Sequence, residues 1–430
     1  MKKLEGTPAE GLFGATLGFF TGFAAVSLFG PTAVKFKEVM HLSPMLVAFL
    51  IAMPSLSGSL LRIPFSAWVD TTGGRKPFLI LLMLSILGMS GLFFILFFLY
   101  PDHLSINLYP LLLLLGLLSG CGIATFSVGA SQVAYWYPKK KQGIALGTYA
   151  GVGNLAPGLF SFLLPFALIN WGLGGSYLAW LVFLLIGTFL YFLSGRNAWF
   201  FQLIQSGTET SHAKELAREK GQELFPSGSI MGSLKISTKT WKTWALVGIY
   251  FTTFGGFIAL TAWFPTYWRE YFSVTAVQAG LLTAVYSILT SLFRVAGGNI
   301  SDRLGGEITA IASLTIMLAG VFCLMFSGEF ALSVAGEILM AFGMGVSNAA
   351  VFKLVPQEVP EAVGGASGWV GGIGAFGGFA IPPLLGLFVQ SRGNIGYVRG
   401  FVVFLILAIL SILLAFLLKK TGPGTKRYKY

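Results

Sequence analysis

Long apolar runs alternate with short polar breaks along almost the whole chain. About 20 apolar residues cross the hydrocarbon layer of a bilayer as a helix, whereas membrane barrels show short alternating segments. The pattern therefore predicts an all-α membrane protein. Twelve spans are predicted, at 11–33, 43–68, 77–99, 107–136, 142–170, 173–194, 243–268, 275–297, 306–328, 330–355, 362–391 and 398–419.

The longest polar interruption covers residues 195–242 and divides the predicted spans into six plus six. It contains the stretch SHAKELAREKGQELF, whose charged and apolar positions predict a short amphipathic helix. We therefore expect an N-terminal six-helix half at 1–194, a cytoplasmic linker at 195–242, and a C-terminal six-helix half at 243–430.

Composition supports a membrane protein and excludes several other classes. Of 430 residues, 55% are hydrophobic and 10% charged, whereas soluble domains carry about 25% charged residues. Cys121 and Cys323 lie in apolar segments, so we predict neither a disulfide nor a metal site. No P-loop, nucleophile–base constellation or metal-ligand spacing is present in the sequence. An enzyme, an ATP-driven pump and a bound cofactor are not predicted.

The distribution of basic residues predicts the orientation in the membrane. Twenty of the 28 Lys and Arg residues fall on the side that holds both termini and the linker, and five fall on the other side. Because basic loops remain in the cytoplasm, we predict a multi-pass protein of the plasma (inner) membrane with both termini cytoplasmic. This bias explains most of the net charge of +12, so no nucleic-acid partner is predicted.

Three basic residues, Arg62, Arg294 and Lys353, fall inside predicted spans. Among the 16 acidic residues only Glu337 lies clearly inside one, and we expect it near the outer interface, without a role. The predicted membrane interior is therefore positively charged. Ionisable residues at this depth are candidates for a functional site, because an unpaired charge in lipid is costly.

The two halves repeat a charged pattern. SAWVDTTGGRK follows the second span and GNISDRLGGEI follows the eighth, and an arginine lies eight residues before the aspartate of each. These pairs are Arg62 with Asp70 and Arg294 with Asp302. Eight helical residues rise about 12 Å, against a hydrocarbon half-thickness of about 15 Å. Both arginines are therefore predicted close to the midplane, without an acidic partner, where a bound anion would relieve their repulsion.

A second repeat pairs the glycine-rich stretches GIALGTYAGVGNLAPG and GASGWVGGIGAFGG of spans five and eleven. At an offset of 221 residues, four glycines of one stretch coincide with four of the other. Small residues on one helix face allow close approach of another helix or of a substrate. Tight helix packing and substrate contact both remain open as explanations.

These patterns resemble the major facilitator superfamily. Its loop motif, Gly-x-x-x-Asp-Arg-x-Gly-Arg-Arg, is matched by Gly298, Asp302, Arg303 and Gly305, while the first-half copy is looser. Within the superfamily, the chain closely resembles the nitrate/nitrite porter family. The stretches that carry this resemblance are LLRIPFS, PKKKQGIALGTYAGVGN, YFTTFGGF and GGNISDRLGG, together with the paired glycine-rich segments.

The resemblance implies the major facilitator fold and assigns roles to residues of this chain. By this resemblance, Arg62 and Arg294 form an anion clamp and Asn154 makes a polar contact with the substrate. Lys353 stands where relatives carry glutamine, so its role in coupling is left open. The remaining substrate-contact candidates are Tyr250, Phe254, Phe126, Ala150, Gly151, Gly371 and Gly372. The candidates for gating are Asp70, Arg75, Asp302 and Arg303.

The predicted function is secondary transport of nitrate and nitrite by alternating access, in the form of exchange, because no carboxylate or histidine is expected at the depth of the arginines. Nitrate–proton symport remains open, with Lys353 or the substrate as the titrating element. An exchanger of organic anions such as formate or oxalate is a further alternative, and a channel is disfavoured by the two-half architecture. A monomer is compatible with the sequence.

Overall fold

The computed structural model describes residues 4–226, 230–326, 328–359 and 362–421, and in these ranges the chain is built from helices without strands. Eleven helical segments are long and apolar enough to span a membrane. The first four are α1 (Pro8–Met40), α2 (Pro44–Thr72), α3 (Arg75–Phe98) and α4 (Ile106–Trp136). A fifth segment, Ile144–Ser194, contains both α5 and α6, as shown below. The others are α7 (Trp241–Phe272), α8 (Ala276–Leu304), α9 (Gly306–Phe326), α10 (Phe330–Glu358), α11 (Gly365–Arg399) and α12 (Val402–Thr421).

The segment Ile144–Ser194 is two spans joined at Gly172. Gly172 has a φ of 65° and a ψ of −173°, a conformation outside the helical region. Phe160 packs against Trp180 and Phe183 with ring centroids 4.6 and 4.8 Å apart. In a straight helix 20 residues rise about 30 Å, so the chain must fold back at Gly172. We name the part before Gly172 α5 and the part after it α6, which gives the twelve spans that the sequence predicts.

Local sequence signals account for the ends of several helices. Thr7 and Thr275 accept hydrogen bonds from backbone N–H groups three residues later and start α1 and α8 with capping boxes. The two repeated loops end in the same way, because Gly73 and Gly305 each lie three residues after the repeated aspartate and have φ values of 76° and 89°. Only glycine adopts this conformation without strain, so the repeat extends from sequence to backbone geometry.

Several helices extend beyond the predicted spans. The helix Ala33–Met40 continues α1 past residue 33, and α2 continues to Thr72, because a helix need not end where the hydrocarbon layer ends. Between α6 and α7 the chain forms three short helices, Trp199–Gln205, Thr210–Glu219 and Ile230–Thr238. The second of these lies in the stretch for which an amphipathic helix is predicted.

We call the side of the bundle where α1 begins and α12 ends the linker side. The two halves, α1–α6 and α7–α12, pack closely on the other side. There Lys37 of the first half forms an ion pair with Glu270 of the second. A Cβ built on Gly386 of α11 would lie 2.5 Å from the Cβ of Ala48 in α2. This separation leaves no room for a side chain, so the halves are in direct contact on the side opposite the linker.

Candidate functional site

Arg62 is buried at the centre of the bundle, with 1% of its surface exposed. Its Nε donates to the carbonyl oxygen of Gly58 at 2.9 Å, which fixes the side chain against its own helix. Nη1 donates to the carbonyl oxygen of Gly371 at 3.1 Å, across the boundary between the halves. Nη2 is buried and has no hydrogen-bond partner among the described residues. The protein thus binds two nitrogens of the guanidinium, Nε and Nη1, and the third, Nη2, remains available to a ligand.

Arg294 is the counterpart of Arg62 in the second half and has fewer protein contacts. Its Nη2 donates to the hydroxyl of Tyr250 at 3.4 Å, longer than the usual 2.7–3.2 Å for such a bond. Its Nη1 is buried without a partner. Among the described residues, neither arginine forms a salt bridge with a carboxylate.

Two aromatic rings lie against both guanidinium groups. The Cζ of Arg62 is 4.9 Å from the ring centre of Phe126 and 5.2 Å from that of Phe254. The Cζ of Arg294 is 5.7 and 5.3 Å from the same two rings. Phe254 in turn stacks on Tyr250 with centroids 4.8 Å apart. The predicted clamp and the predicted walls therefore meet in one place.

The site forms where helices are interrupted. Leu61 forms a tight turn between the helical stretches Pro44–Leu60 and Arg62–Thr72 while keeping helical backbone angles, so Arg62 follows an irregularity within α2. Phe126 follows the 3-10 turn Cys121–Ala124, and Phe254 lies in the π-helical turn Phe251–Gly255. Irregular backbone at membrane depth is tolerated where it lines a buried cavity, and π-turns are frequent at functional sites. Arg294 differs, since it lies within the continuous helix Ala276–Leu304.

Asn154 lies at another interruption, between the helices Lys139–Gly153 and Leu155–Ser194. It is 2% exposed, and its Oδ1 is buried without a partner. Because a half-turn of the amide exchanges oxygen for nitrogen, this side chain can present either an acceptor or a donor. Its carbonyl oxygen accepts from the hydroxyl of Ser291 at 3.2 Å, a second bond between the halves at this level.

The glycine-rich stretches contain tightly packed positions and one position with room for a small group. A Cβ on Gly153 would lie 1.9 Å from the ring of Phe19, and one on Gly372 would lie 2.6 Å from Ile63, so these glycines permit tight packing. A Cβ on Gly371 would meet nothing closer than 3.8 Å. Gly371, whose carbonyl oxygen binds Arg62 Nη1, therefore has room for a methyl group in ordinary contact with Ser127 and Phe352. Ala150 and Gly151 lie in the turn before Asn154, and a Cβ on Gly151 would meet Val295 at 3.2 Å.

Two further aromatic residues contribute to the site that the sequence does not single out. Tyr149 is fully buried and donates to the carbonyl oxygens of Thr125 and Phe126, which fixes the backbone that carries the Phe126 ring. The ring of Phe352 lies 5.9 Å from the Cζ of Arg294. An aromatic residue in an apolar span carries no signal of its own, because most such residues only fill the core.

Lys353 points away from the arginines. Its Nζ donates to Asp302 Oδ1 at 2.9 Å and to the carbonyl oxygen of Ser301 at 2.5 Å. Asp302 is a gating candidate, so the third intramembrane cation is bound to the repeated loop motif of its own half. Arg303, the next gating candidate, is exposed.

The first-half gating candidates also bind within their own half. Asp70 Oδ1 accepts from the hydroxyl of Tyr135 at 2.6 Å. Arg75 Nη2 donates to the carbonyl oxygen of Phe192 at 2.8 Å, and its guanidinium lies over the ring of that residue. The linker side therefore has, among these candidates, no ion pair that joins the halves.

The electrostatics of the central site call for a negative ligand. The guanidinium charge of Arg62 is removed from water and that of Arg294, a half-buried residue, partly so, and removing an ion fully costs several kcal/mol even after relaxation. Each contact with a ring face stabilises the cation by about 0.5–2 kcal/mol, and the carbonyl oxygens that bind Arg62 carry only partial negative charge. A small anion between the arginines would supply the missing charge and accept from the two unpartnered nitrogens.

Two six-helix halves that enclose a buried charged site define the class of secondary transporters. The sequence matches the Major Facilitator Superfamily over residues 15–275 and 246–429. Solved structures support the fold. The xylose transporter XylE of E. coli is 15% identical, with a TM-score of 0.72 over 97% of this chain and 100% of that one. A bacterial homologue of the human lysosomal transporter Spinster is 16% identical, with a TM-score of 0.66 over 95% of this chain and 96% of that one.

Relatives with higher sequence identity identify the family within the superfamily. The chain is 30% identical over 422 residues to a probable nitrate/nitrite antiporter, NarK1, of Thermus thermophilus, covering 92% of this chain and 88% of that one. It is 28% identical to a probable nitrate transporter, NarT, of Staphylococcus epidermidis, covering 87% and 88%. It is also 28% identical to the nitrite extrusion protein of Bacillus subtilis, covering 93% and 91%. The chain belongs to the nitrate/nitrite porter family of the major facilitator superfamily, which confirms the family and the fold expected from the sequence.

Proposed function

We propose that this protein exchanges nitrate and nitrite across the plasma membrane by alternating access. The observation that carries the proposal is the pair of buried, unpartnered guanidinium nitrogens, Arg62 Nη2 and Arg294 Nη1. Nitrate and nitrite are small planar oxyanions, whose oxygens match the planar donor fork of arginine. The names of the relatives from Thermus and Bacillus point to the same two anions.

The position of the clamp supports a mechanism in which the two halves rock around it. Arg62 belongs to the first half and Arg294 to the second, so an anion bound between them joins the halves. When the site is empty, two like charges face each other, and the aromatic rings of Phe126 and Phe254 keep water from screening them. Reorientation without an anion is therefore disfavoured, which links outward movement of one anion to inward movement of another.

The orientation and the gates are part of the proposal. We assign the linker side to the cytoplasm, because most basic residues lie there, and we assign residues 1–194 and 243–430 to the two moving halves, with 195–242 as the linker. In the described state the halves touch on the side opposite the linker. Asp70, Arg75, Asp302 and Arg303 then act at the cytoplasmic gate, and would exchange their partners within each half for partners across the halves when that gate closes.

Nitrate–proton symport is the second candidate function. The observation that favours it is the cation of Lys353 beside Asp302, an ionisable pair in the repeated loop motif that would exchange partners during the cycle. Exchange is preferred because, in the described residues, no titratable carboxylate or imidazole contacts the two arginines.

Counterflow in proteoliposomes tests the choice. Vesicles loaded with nitrite should take up labelled nitrate with the pH gradient abolished, and empty vesicles should take up little. Uptake that needs no internal nitrite and stops when an uncoupler is added would refute exchange and favour symport. Displacement of nitrate by formate or oxalate at comparable concentrations would instead extend the substrates to organic anions.

A further inference from the structure

A buried carboxyl group lies in the second half, away from the arginines. Glu337 is 1% exposed, although the sequence suggests a position near the outer interface. It lies seven residues after Phe330, the start of α10 on the side opposite the linker, which is about 10 Å along the helix. Its Oε1 accepts a hydrogen bond from Trp268 Nε1 of α7 at 3.4 Å. Glu337 therefore lies between the opposite surface and the central site.

The surroundings of Glu337 contain no cation that binds it. Among the described residues it forms no salt bridge, and the titratable groups around it come from α7, α8 and α9. They are the phenols of Tyr267 in α7 and Tyr286 in α8, and the thiol of Cys323 in α9, whose Cβ lies beside Gly336. Trp268, whose Nε1 donates to Glu337, completes the lining. The neighbouring acid on α7, Glu270, is already paired with Lys37.

Another buried acid of this half provides the contrast. Glu358 has a fully buried side chain as well, but it forms an ion pair with Lys242. A carboxylate is stable in such a place when a cation compensates it, and an uncompensated one takes up a proton instead. We propose that Glu337 is a proton-binding site, occupied while the side opposite the linker is closed and emptied when that side opens to water.

Helix α7 connects Glu337 to the central site of the two arginines. This helix carries Tyr250 and Phe254 at the arginines, Trp268 at Glu337, and Glu270 in the ion pair with the first half. Rings in contact run along it, because Phe264 packs on Tyr286 at 4.9 Å and on Trp268 at 6.3 Å. Loss of the proton from Glu337 creates a charge that requires water, so it favours separation of the packed surfaces around Trp268 and opening of the opposite side.

The proton enters and leaves on the same side in this scheme. Proton binding at Glu337 therefore makes the rate of exchange depend on the pH of that side, and no proton is carried across the membrane. The inference rests on the proposed exchange for its transport consequence, but not for the existence of the proton site, which can be tested separately.

Infrared spectroscopy of the purified protein tests the site itself. A protonated carboxylic acid has a carbonyl stretch that carboxylates and amides lack. We expect this band in the wild type, its loss in Glu337→Gln, and its retention in the matched control Glu358→Gln. Retention of the band in Glu337→Gln, or its absence from the wild type at neutral pH, would overturn the proposal whether or not the protein transports nitrate.

Nitrate/nitrite counterflow tests the coupling. Wild-type rates should change with pH on the side opposite the linker by up to about tenfold per pH unit, the limit for one proton. Glu337→Gln should remove this dependence and leave saturable nitrate binding in place, and Glu337→Asp should restore the dependence. An unchanged pH profile in Glu337→Gln, or a profile set by the pH of the linker side, would contradict the assignment.

Discussion

Replacing each of the two arginines by lysine tests separately how the positive charge and the geometry of the donor groups contribute to anion binding. Lysine keeps the positive charge but offers one compact ammonium in place of the planar fork. The two positions are not equivalent in the structure. Arg62 uses Nε and Nη1 for carbonyl oxygens, including Gly371 across the halves, and leaves Nη2 free. Arg294 leaves Nη1 free and, within the described part of the chain, donates one long hydrogen bond, to Tyr250.

The magnitude follows from the bonds that each substitution removes. A hydrogen bond to a charged group contributes about 1.5–3 kcal/mol, and 1.4 kcal/mol is a factor of ten in affinity. Each lysine variant loses the free nitrogen of one fork, so we expect nitrate to bind about 10- to 100-fold more weakly. Arg62→Lys additionally loses the bond to Gly371. It should therefore also change how readily the halves separate, whereas Arg294→Lys should act on binding alone.

The assay is titration of nitrate into the purified protein, combined with initial rates of counterflow. Arg218→Lys is the matched control, because Arg218 is exposed in the linker and also lies over an aromatic ring, 5.4 Å from that of Phe225. It should bind nitrate as the wild type does. Wild-type affinity in either clamp variant would refute the clamp, and an equal loss in the control would show that the effect is not specific to the site.

Three further outcomes are expected. Gly153→Ala should lower the melting temperature, because its Cβ would lie 1.9 Å from the Phe19 ring and overpacking costs about 1–3 kcal/mol. Gly371→Ala, whose Cβ would meet nothing closer than 3.8 Å, should leave the melting temperature unchanged and weaken nitrate binding. Phe254→Leu should weaken binding at both arginines by removing a ring 5.2 and 5.3 Å from their Cζ atoms, and unchanged affinity by titration would contradict this. Lys37→Met should make the side opposite the linker more accessible to a membrane-impermeant thiol reagent at a nearby engineered cysteine, and Glu270→Met should add nothing to that change, because both remove the same pair.

The sequence predicts the architecture well because the bilayer imposes it. Span length, the polar gap at 195–242 and the excess of basic residues all reflect the low polarity of lipid, so twelve spans follow from hydropathy. Even the junction of α5 and α6 is recognisable, since Gly172 lies between two apolar runs. The arginine pair is predictable for the same reason, because a charge in an apolar run stands out against its surroundings.

The rest of the site depends on backbone carbonyls and on helix interruptions, which leave no residue-level signal. Nothing in the sequence shows that Gly58 and Gly371 would supply acceptors to Arg62, or that Ser291 would bind the carbonyl of Asn154. Lys353 is recognisable as an intramembrane cation, but its partner Asp302 is found only when α8 and α10 are packed together. Partners that are distant along the chain are set by helix packing, which hydropathy does not determine.

The distribution of bonds in the described state bears on how an anion triggers reorientation. At the central level the halves are joined by Arg62 to Gly371 and by Ser291 to Asn154. On the opposite side they are joined by Lys37 and Glu270. An anion that draws the guanidinium of Arg62 towards Arg294 competes directly with the bond to Gly371. In the proposed mechanism, binding therefore weakens one of the contacts between the halves while it removes the repulsion between the two arginines, and both effects lower the barrier to reorientation only when the site is filled.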